Sequence, residues 1–259
     1  LELGLAGRNA VVTGGSQGLG LAIARRLARE GCGLAICARG EQRLQEAREE
    51  LERAGVNVYA EPVDVTAPEG LERFVDKAAA ALGGLDFLVA NAGGARGGGL
   101  LESTQEEWRE TYELNVFHAV RLIRAGVPHL RHRGGGAAVI VSSISGWKPA
   151  PRAQYGSAKA AQIYLAASLA WELAEDGIRV NAVSPGSLLV PGGGWERLRR
   201  ADPAAYERFA SQEFPAGRLG APEDVANVVA FLLSEEARWV NGANIPVDGG
   251  QGSPSAFGY

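Results

Sequence analysis

The chain has 259 residues, 46 % of them hydrophobic, which is enough for a sizeable core in one large domain or two small ones. Its formal charge of −4 speaks against a generic nucleic-acid surface, and no run of like charge makes a binding tail. No segment approaches the roughly 20 apolar residues that cross a bilayer, and LELGLAGRNAVVTGG lacks the basic flank and long apolar stretch of a signal peptide. The two cysteines, Cys32 and Cys37, have no metal-ligand spacing and read as buried free thiols. That suits a reducing cytosol, so a cytoplasmic location is expected. Lysine occurs only three times (Lys77, Lys148, Lys159), which makes Lys159 conspicuous.

In chain order, residues 9–13 (NAVVT) read as a strand, and 18–30 as a helix with Leu19, Ile23 and Leu27 on one stripe. A strand over 33–38 and a helix over 41–54 follow, then a strand over 56–61 and a helix over 69–82. The pattern continues with a strand at 85–90, helical spacing over 105–130 and a strand at 138–142. A helix over 155–175 and a strand at 180–184 precede the helix at 222–234, opened by Pro222 with Glu223 and Asp224 in its first turn. The last strand is expected at 243–247. Apolar strands alternating with helices along the whole chain predict an α/β fold, a Rossmann-like doubly wound parallel sheet with helices on both faces, as a single domain over 1–259. The longest irregular section is expected from 186 to about 202, around PGGGW, within a substrate-loop region of about 186–215 that reads as a candidate lid.

Between the first strand and helix lies TGGSQGLG, residues 13–20. Gly14, Gly18 and Gly20 allow a tight turn and close backbone approach, and the helix behind them offers unpaired N–H groups to a pyrophosphate. The spacing differs from G-x-G-x-x-G, and a plain tight turn is the alternative. At the end of the second strand an acid would suit a ribose 2′-hydroxyl and an arginine a 2′-phosphate. Arg39 stands there, with no acid before Glu41, so NADP(H) is favoured over NAD(H). Gln17, within the turn, adds no second positive charge.

Residues 139–161 (VIVSSISGWKPAPRAQYGSAKAA) run from a strand into a helix. Tyr155 and Lys159 are four apart, about 400° of helical rotation, and so share a face. A free phenol titrates near 10, and a neighbouring cation favours the phenolate. Ser143 is placed to hydrogen-bond the same substrate oxygen. On spacing alone the pair can equally be an incidental solvated one.

Taken together, these stretches resemble the short-chain dehydrogenase/reductase family over essentially the full length. TGGSQGLG resembles the family's cofactor turn, carried here by Gly14, Ser16, Gln17, Gly18, Leu19 and Gly20. Asp64 and Val65 resemble the pair beside the adenine, and Asn91-Ala92-Gly93 the motif that passes the cofactor ribose. Asn115, Ser143, Tyr155 and Lys159 match the catalytic tetrad. Pro185-Gly186, with the backbone around Leu188, matches the turn beside the nicotinamide, and NGANIPVDGG the last strand and subunit-contact region. In the family pattern the serine lies three residues before a glycine; Gly146 therefore selects Ser143, with Ser142 facing away and Ser145 a pocket wall. One departure is Val190, where the family often has a threonine that meets the nicotinamide carboxamide.

The resemblance implies hydride transfer between a nicotinamide and a carbonyl or carbinol carbon, with Tyr155 as general acid/base and Ser143 holding the substrate oxygen. Lys159 would acidify Tyr155 and bond the nicotinamide ribose, and Asn115 would anchor a relaying water. No metal is expected; His118, His129 and His132 show no zinc spacing, and the last two read as surface residues. Residues 94–99, 145–151 and 188–195 are pocket candidates, with Trp147 and Trp195 as walls and Arg96 and Lys148 as anion anchors. Similarity to 3-oxoacyl-carrier-protein reductases is general and leaves the carbonyl or alcohol substrate open. The alternative function is a non-catalytic NADP(H)-binding regulator, against which the complete tetrad argues. A homotetramer, or a dimer, is the implied assembly, through the helices at 105–130 and 155–175 and the last strand.

Overall fold

The computed structural model describes residues 2–254; Leu1 and residues 255–259, which the expected domain includes, lie outside the described residues. The first half runs β1 (Asn9–Thr13), α1 (Gly18–Arg29), β2 (Gly33–Ala38), α2 (Glu41–Glu52), β3 (Val58–Pro62), α3 (Pro68–Leu82) and β4 (Phe87–Ala90). The second half runs α4 (Gln105–Tyr112), a π-helical turn (Glu113–Phe117), α5 (His118–His132), β5 (Gly136–Val141) and α6 (Ala153–Glu172). Then come β6 (Ile178–Pro185), α7 (Gly194–Ala201), α8 (Pro203–Glu213), α9 (Pro222–Leu233) and β7 (Asn244–Val247).

All strand pairs are parallel, and the seven strands lie in the order β3-β2-β1-β4-β5-β6-β7. The period-2 alternation of a strand divides the core into two layers. Val12, Ile36, Val139 and Val183 pack on one face with Ile23 and Leu27 of α1 and Val229 of α9. Val11, Cys37, Ile140 and Val180 pack on the other with Phe74 of α3, Leu122 of α5 and Ala166 of α6. Each fully buried valine, leucine or isoleucine stabilises the fold by roughly 1.5–3 kcal/mol. Burial pushes the Cys32 and Cys37 thiols up to about 12, so neither ionises readily.

The chain builds outward from β1 to β3 and then returns to lay β4 on the other side of β1. Where the order reverses, the helices diverge and open a crevice at the carboxyl ends of β1 and β4.

One expectation gains detail and one changes. The helical region expected over 105–130 is present and carries a π turn at Glu113–Phe117, and the supposed irregular section contains α7. Three consecutive glycines, Gly192–Gly194, hide its start. What stabilises it is non-local: Trp195 stacks on Phe209 of α8, with ring centroids 4.3 Å apart. Asp202 then caps α8, its Oδ1 accepting from Ala205 N at 2.9 Å, with Pro203 in the first turn.

Candidate active site

The crevice is a cleft of about 1200 Å³. Every residue expected to bind the cofactor or act in catalysis lines it, with Asn115 as the exception.

Its floor begins at the end of β1. Gln17 precedes α1 in extended conformation without a side-chain cap, and the first turn of α1 carries no acid. The helix therefore presents unpaired N–H groups and a positive dipole end to the cleft, which suits a pyrophosphate. The turn closes tightly because Gly20 has no side chain: a Cβ there would lie 2.2 Å from Gly14 O and 2.5 Å from Asn91 Nδ2. Asn91 ties β4 to this turn, donating from Nδ2 to Thr13 O at 2.9 Å. Thr13 Oγ1 accepts from the backbone of Asn91 and Ala92, at 3.0 and 3.1 Å.

Behind Thr13 stands His118, a residue the sequence gives no reason to choose. It is fully buried, with Nε2 2.9 Å from Thr13 Oγ1 and Nδ1 3.0 Å from Leu114 O. Burial, helped by the charge of Lys159, pushes its pKa down to about 3, so the ring is neutral. The carbonyl beside Nδ1 fixes the proton there and leaves Nε2 to accept from Thr13.

On the adenosine side, Asp64 Oδ1 accepts from Thr66 N at 3.0 Å and Thr66 Oγ1 at 2.7 Å. Those bonds, with smaller contributions from the charges of Arg39 and Arg96, hold its carboxyl below the usual range. Arg39 is exposed at the rim, and Arg43, one turn further on, also lines the cleft and donates to Gln17 Oε1. Gln17 itself brings no charge, as expected; the second cation at this edge is Arg43, which the sequence reading did not single out.

The tetrad residues come from three elements. Ser143 follows β5 and lines the cleft, its Oγ accepting from Ser145 N at 3.1 Å. Ser142, one residue earlier, turns inward and donates to Lys159 O at 2.8 Å. Tyr155 lies in the first turn of α6 and lines the cleft. Lys159 Nζ sits 5.5 Å from the centroid of the Tyr155 ring. The ammonium is only 3 % exposed and donates to Val141 O and Gln162 Oε1, each at 2.9 Å. Burial lowers its pKa to about 7.

Asn115 lies in the π turn one layer behind the wall. Its Nδ2 donates to Gly94 O and Thr111 O, each at 2.7 Å, and its Oδ1 accepts from Gly94 N at 3.3 Å. Gly93 separates it from the cleft: a Cβ there would lie 2.8 Å from Asn115 Oδ1 and 3.2 Å from Lys159 Nζ.

The far wall comes from the end of β6. Pro185, Gly186 and Leu188 line it, and Val190 reaches across to the turn before α1. Leu189 N donates to Gly220 O at 2.8 Å, tying the segment to the start of α9.

The proposed substrate walls mostly fall elsewhere. Lys148 Nζ donates to Asp248 Oδ2 at 2.9 Å and to Gln251 O, so it is held by the C-terminal segment and is no anion anchor. Trp147 is half-exposed and does not line the cleft, and Trp195 is buried in the small core of α7 and α8. Of the four, Arg96 lines the cleft, 3.7 Å from Glu110. Arg152, which sequence reading passed over, lines it too. Its backbone is left-handed (φ 67°), and its carbonyl accepts from Tyr155 N at 2.9 Å at the start of α6. His129 pairs with Asp76 at 2.8 Å on the outer surface.

Comparison with known proteins gives a consistent picture. The family model described as enoyl-(acyl carrier protein) reductase matches residues 14–251. Human dehydrogenase/reductase SDR family member 4 is 37 % identical over 248 residues, covering 95 % of this chain and 88 % of that protein. Isoepoxydon dehydrogenase patN of Penicillium expansum is 33 % identical over 259 residues, 96 % of each. Among solved structures, L-sorbose reductase from Gluconobacter frateurii complexed with NADPH and L-sorbose aligns with a TM-score of 0.91 at 38 % identity, over 97 % of this chain and 98 % of that one. A 7α-hydroxysteroid dehydrogenase complexed with NADH and 7-oxo glycochenodeoxycholic acid aligns with a TM-score of 0.91 at 31 % identity, over 99 % and 98 %.

Proposed function

The chain belongs to the short-chain dehydrogenase/reductase family of oxidoreductases, and on that premise we propose that it interconverts a carbonyl and a secondary alcohol with NADP(H), Tyr155 acting as general acid/base. The observation that carries this reading is the convergence of Ser143, Tyr155 and the glycine turn on one cleft, with the Lys159 ammonium buried directly behind the phenol.

The residues present fit a nicotinamide dinucleotide. The uncapped, acid-free start of α1 would receive the pyrophosphate, and Asp64 and Val65, which line the cleft, would hold the adenine. Asn91 to Gly93, with Lys159, would hold the nicotinamide ribose, and Pro185, Gly186 and Leu188 would hold the ring. Bound there, the cofactor supplies or accepts the hydride. In reduction, the Tyr155 hydroxyl gives its proton to the substrate oxygen as charge develops on it; in oxidation, the phenolate takes that proton back. Ser143 Oγ hydrogen-bonds the same oxygen and fixes its position. Lys159, cationic in a water-poor site, stabilises the phenolate far better than an exposed lysine does.

Arg39 and Arg43 support the NADP(H) preference. Together they bring two guanidinium groups to the rim where a 2′-phosphate would lie, with no acid lining that edge before Asp64. A homotetramer fits the exposed aromatics Tyr164 and Trp171 on α6 and Trp239 before β7, at 76, 85 and 96 % exposure. Sedimentation of the purified protein tests it. The buried thiols Cys32 and Cys37 suit a cytoplasmic location.

The two structural neighbours carry a sugar and a steroid in their complexes, so a screen should span both classes. It follows NADPH absorbance with wild type and Tyr155→Phe. Turnover should fall by about 10²- to 10⁴-fold in the variant while NADPH still binds. Full activity in Tyr155→Phe removes the proposed acid/base. For the coenzyme, kcat/KM is compared for NADPH and NADH in wild type and Arg39→Asp; a wild-type preference for NADH overturns that part.

A further inference from the structure

Lys159 is held from behind by a side chain that the proposed chemistry leaves without a role. Gln162, one turn further along α6, is fully buried. Its Oε1 accepts from Lys159 Nζ at 2.9 Å, and its Nε2 donates to the main-chain oxygen of Asn115 at 2.8 Å. An ammonium has three donors. Val141 O at the end of β5 takes one and Gln162 another, which leaves one for the cleft side, where the Tyr155 ring stands. A carboxamide suits this place because it accepts from a cation at one end and donates to a carbonyl at the other. A leucine or methionine would fill the volume and leave Nζ with a single protein acceptor.

We propose that Gln162 is a positioning residue for the reaction, aiming the Lys159 ammonium at Tyr155 by bracing it against the Asn115 main chain. This rests on the reading of Tyr155 as acid/base. The bridge spans the interval where sequence reasoning expects a water between Asn115 and Lys159. Unlike water, an amide does not pass protons on at each turnover. Gln162 is therefore a brace. By accepting from Nζ, the brace also favours the cationic form of Lys159 in a site that otherwise disfavours it. The other groups facing Lys159 are Tyr155 on the same helix and His118 on α5, which stays neutral far below the working pH; β5 presents only a carbonyl.

The test compares Gln162→Met, similar in length without the amide, and Gln162→Glu, which is nearly isosteric, with wild type and Tyr155→Phe. Each is measured for kcat and KM in both directions, for the pH profile of alcohol oxidation, and for NADPH binding and Tm. In Gln162→Met, kcat should fall roughly ten- to a hundredfold, as for one charge-assisted hydrogen bond, with KM little changed. The rising limb of oxidation should move up by at least about half a pH unit, because a phenol with a weaker cation behind it ionises later. In Gln162→Glu the carboxylate offsets the ammonium, and the limb should also move up. A folded variant of either kind with wild-type kcat and an unshifted limb overturns the proposal. So does loss of folding and NADPH binding in both variants, which makes Gln162 purely structural. Either result, with turnover still dependent on Tyr155, leaves the functional reading intact; activity that survives in Tyr155→Phe breaks that reading instead.

Discussion

The sheet interior and the segment that follows β6 hold their residues by different means. Val12, Val139 and Val183 have no exposed surface and are covered by α1 and α9, while the opposite face of the sheet is covered by α3, α5 and α6. The segment after β6 has a core of its own, built on Trp195, Ala210, Phe214 and Leu219, with Tyr206 and Phe209 packed around it. Thr13, Ser143, Tyr155 and Lys159 hang from the strand ends and from α6, whereas Val190 to Gly194 form the outer wall. The groups that the proposed chemistry needs to hold still sit on the over-determined part, and the outer wall of the cleft rests on one aromatic cluster.

Trp195→Ala strikes the weaker region. Removing a buried tryptophan costs about 3–5 kcal/mol, and here that loss falls on α7 and α8. Amides over 188–214 should exchange faster and substrate KM should rise, while β1, β4, β5 and β6 keep their protection. Equal loss of protection across the sheet would show that the two regions are one cooperative unit.

Lys159 tests the stronger region through pH. Its folded pKa of about 7 lies below the ordinary lysine value of 10.5. Between those values the unfolded chain binds more protons than the folded one, so this residue makes stability rise with pH. Below about 7 the buried charge weighs on the fold in full. Denaturant titrations of the cofactor-free protein should therefore show Lys159→Met losing ground to wild type as pH rises from about 7 towards 10. A gap that does not change with pH means the ammonium is not desolvated.

The sequence exposes the sheet well because each strand is an apolar run closed by turn residues, and it exposes Tyr155 and Lys159 as a pair because they stand four apart on one helix, whereas Asn115 and Ser143 are legible only through the family resemblance. It exposes α7 poorly, since the residues that stabilise Trp195 lie on another helix. The brace and buttress of the site are hidden for the same reason: Gln162 meets a carbonyl 47 residues away, and His118 meets a hydroxyl 105 residues away. Lys148 misleads because its carboxylate partner stands 100 residues further on.

Gly93→Ala strikes where the two tetrad layers meet. Overpacking costs about 1–3 kcal/mol, and a methyl 2.8 Å from Asn115 Oδ1 and 3.2 Å from Lys159 Nζ must move one of them. A displacement of about 1 Å can cost about 10²-fold in rate. The variant should keep its fold and lose kcat on that scale. Unchanged kcat would mean that the site absorbs the methyl by moving the loop alone.

The smallest effect is expected where the backbone of the rigid part is itself under strain. Arg152 is the one non-glycine residue with positive φ among the described residues, and it opens the helix that carries Tyr155. A left-handed conformation costs an L-residue roughly 1–2 kcal/mol, which glycine avoids while losing about 0.5–1 kcal/mol through its freer unfolded chain. Arg152→Gly should therefore stabilise the protein by up to about 1 kcal/mol, read as a small rise in Tm, whereas Arg152→Ala keeps the strain and gains nothing. The pair separates backbone from side chain. A KM change common to both variants belongs to the lost guanidinium on the cleft wall, and a fall in kcat confined to Arg152→Gly belongs to a loosened first turn under Tyr155. If Tm falls in Arg152→Gly, the conformation is not strained, and the side chain contributes more to the start of α6 than its backbone costs.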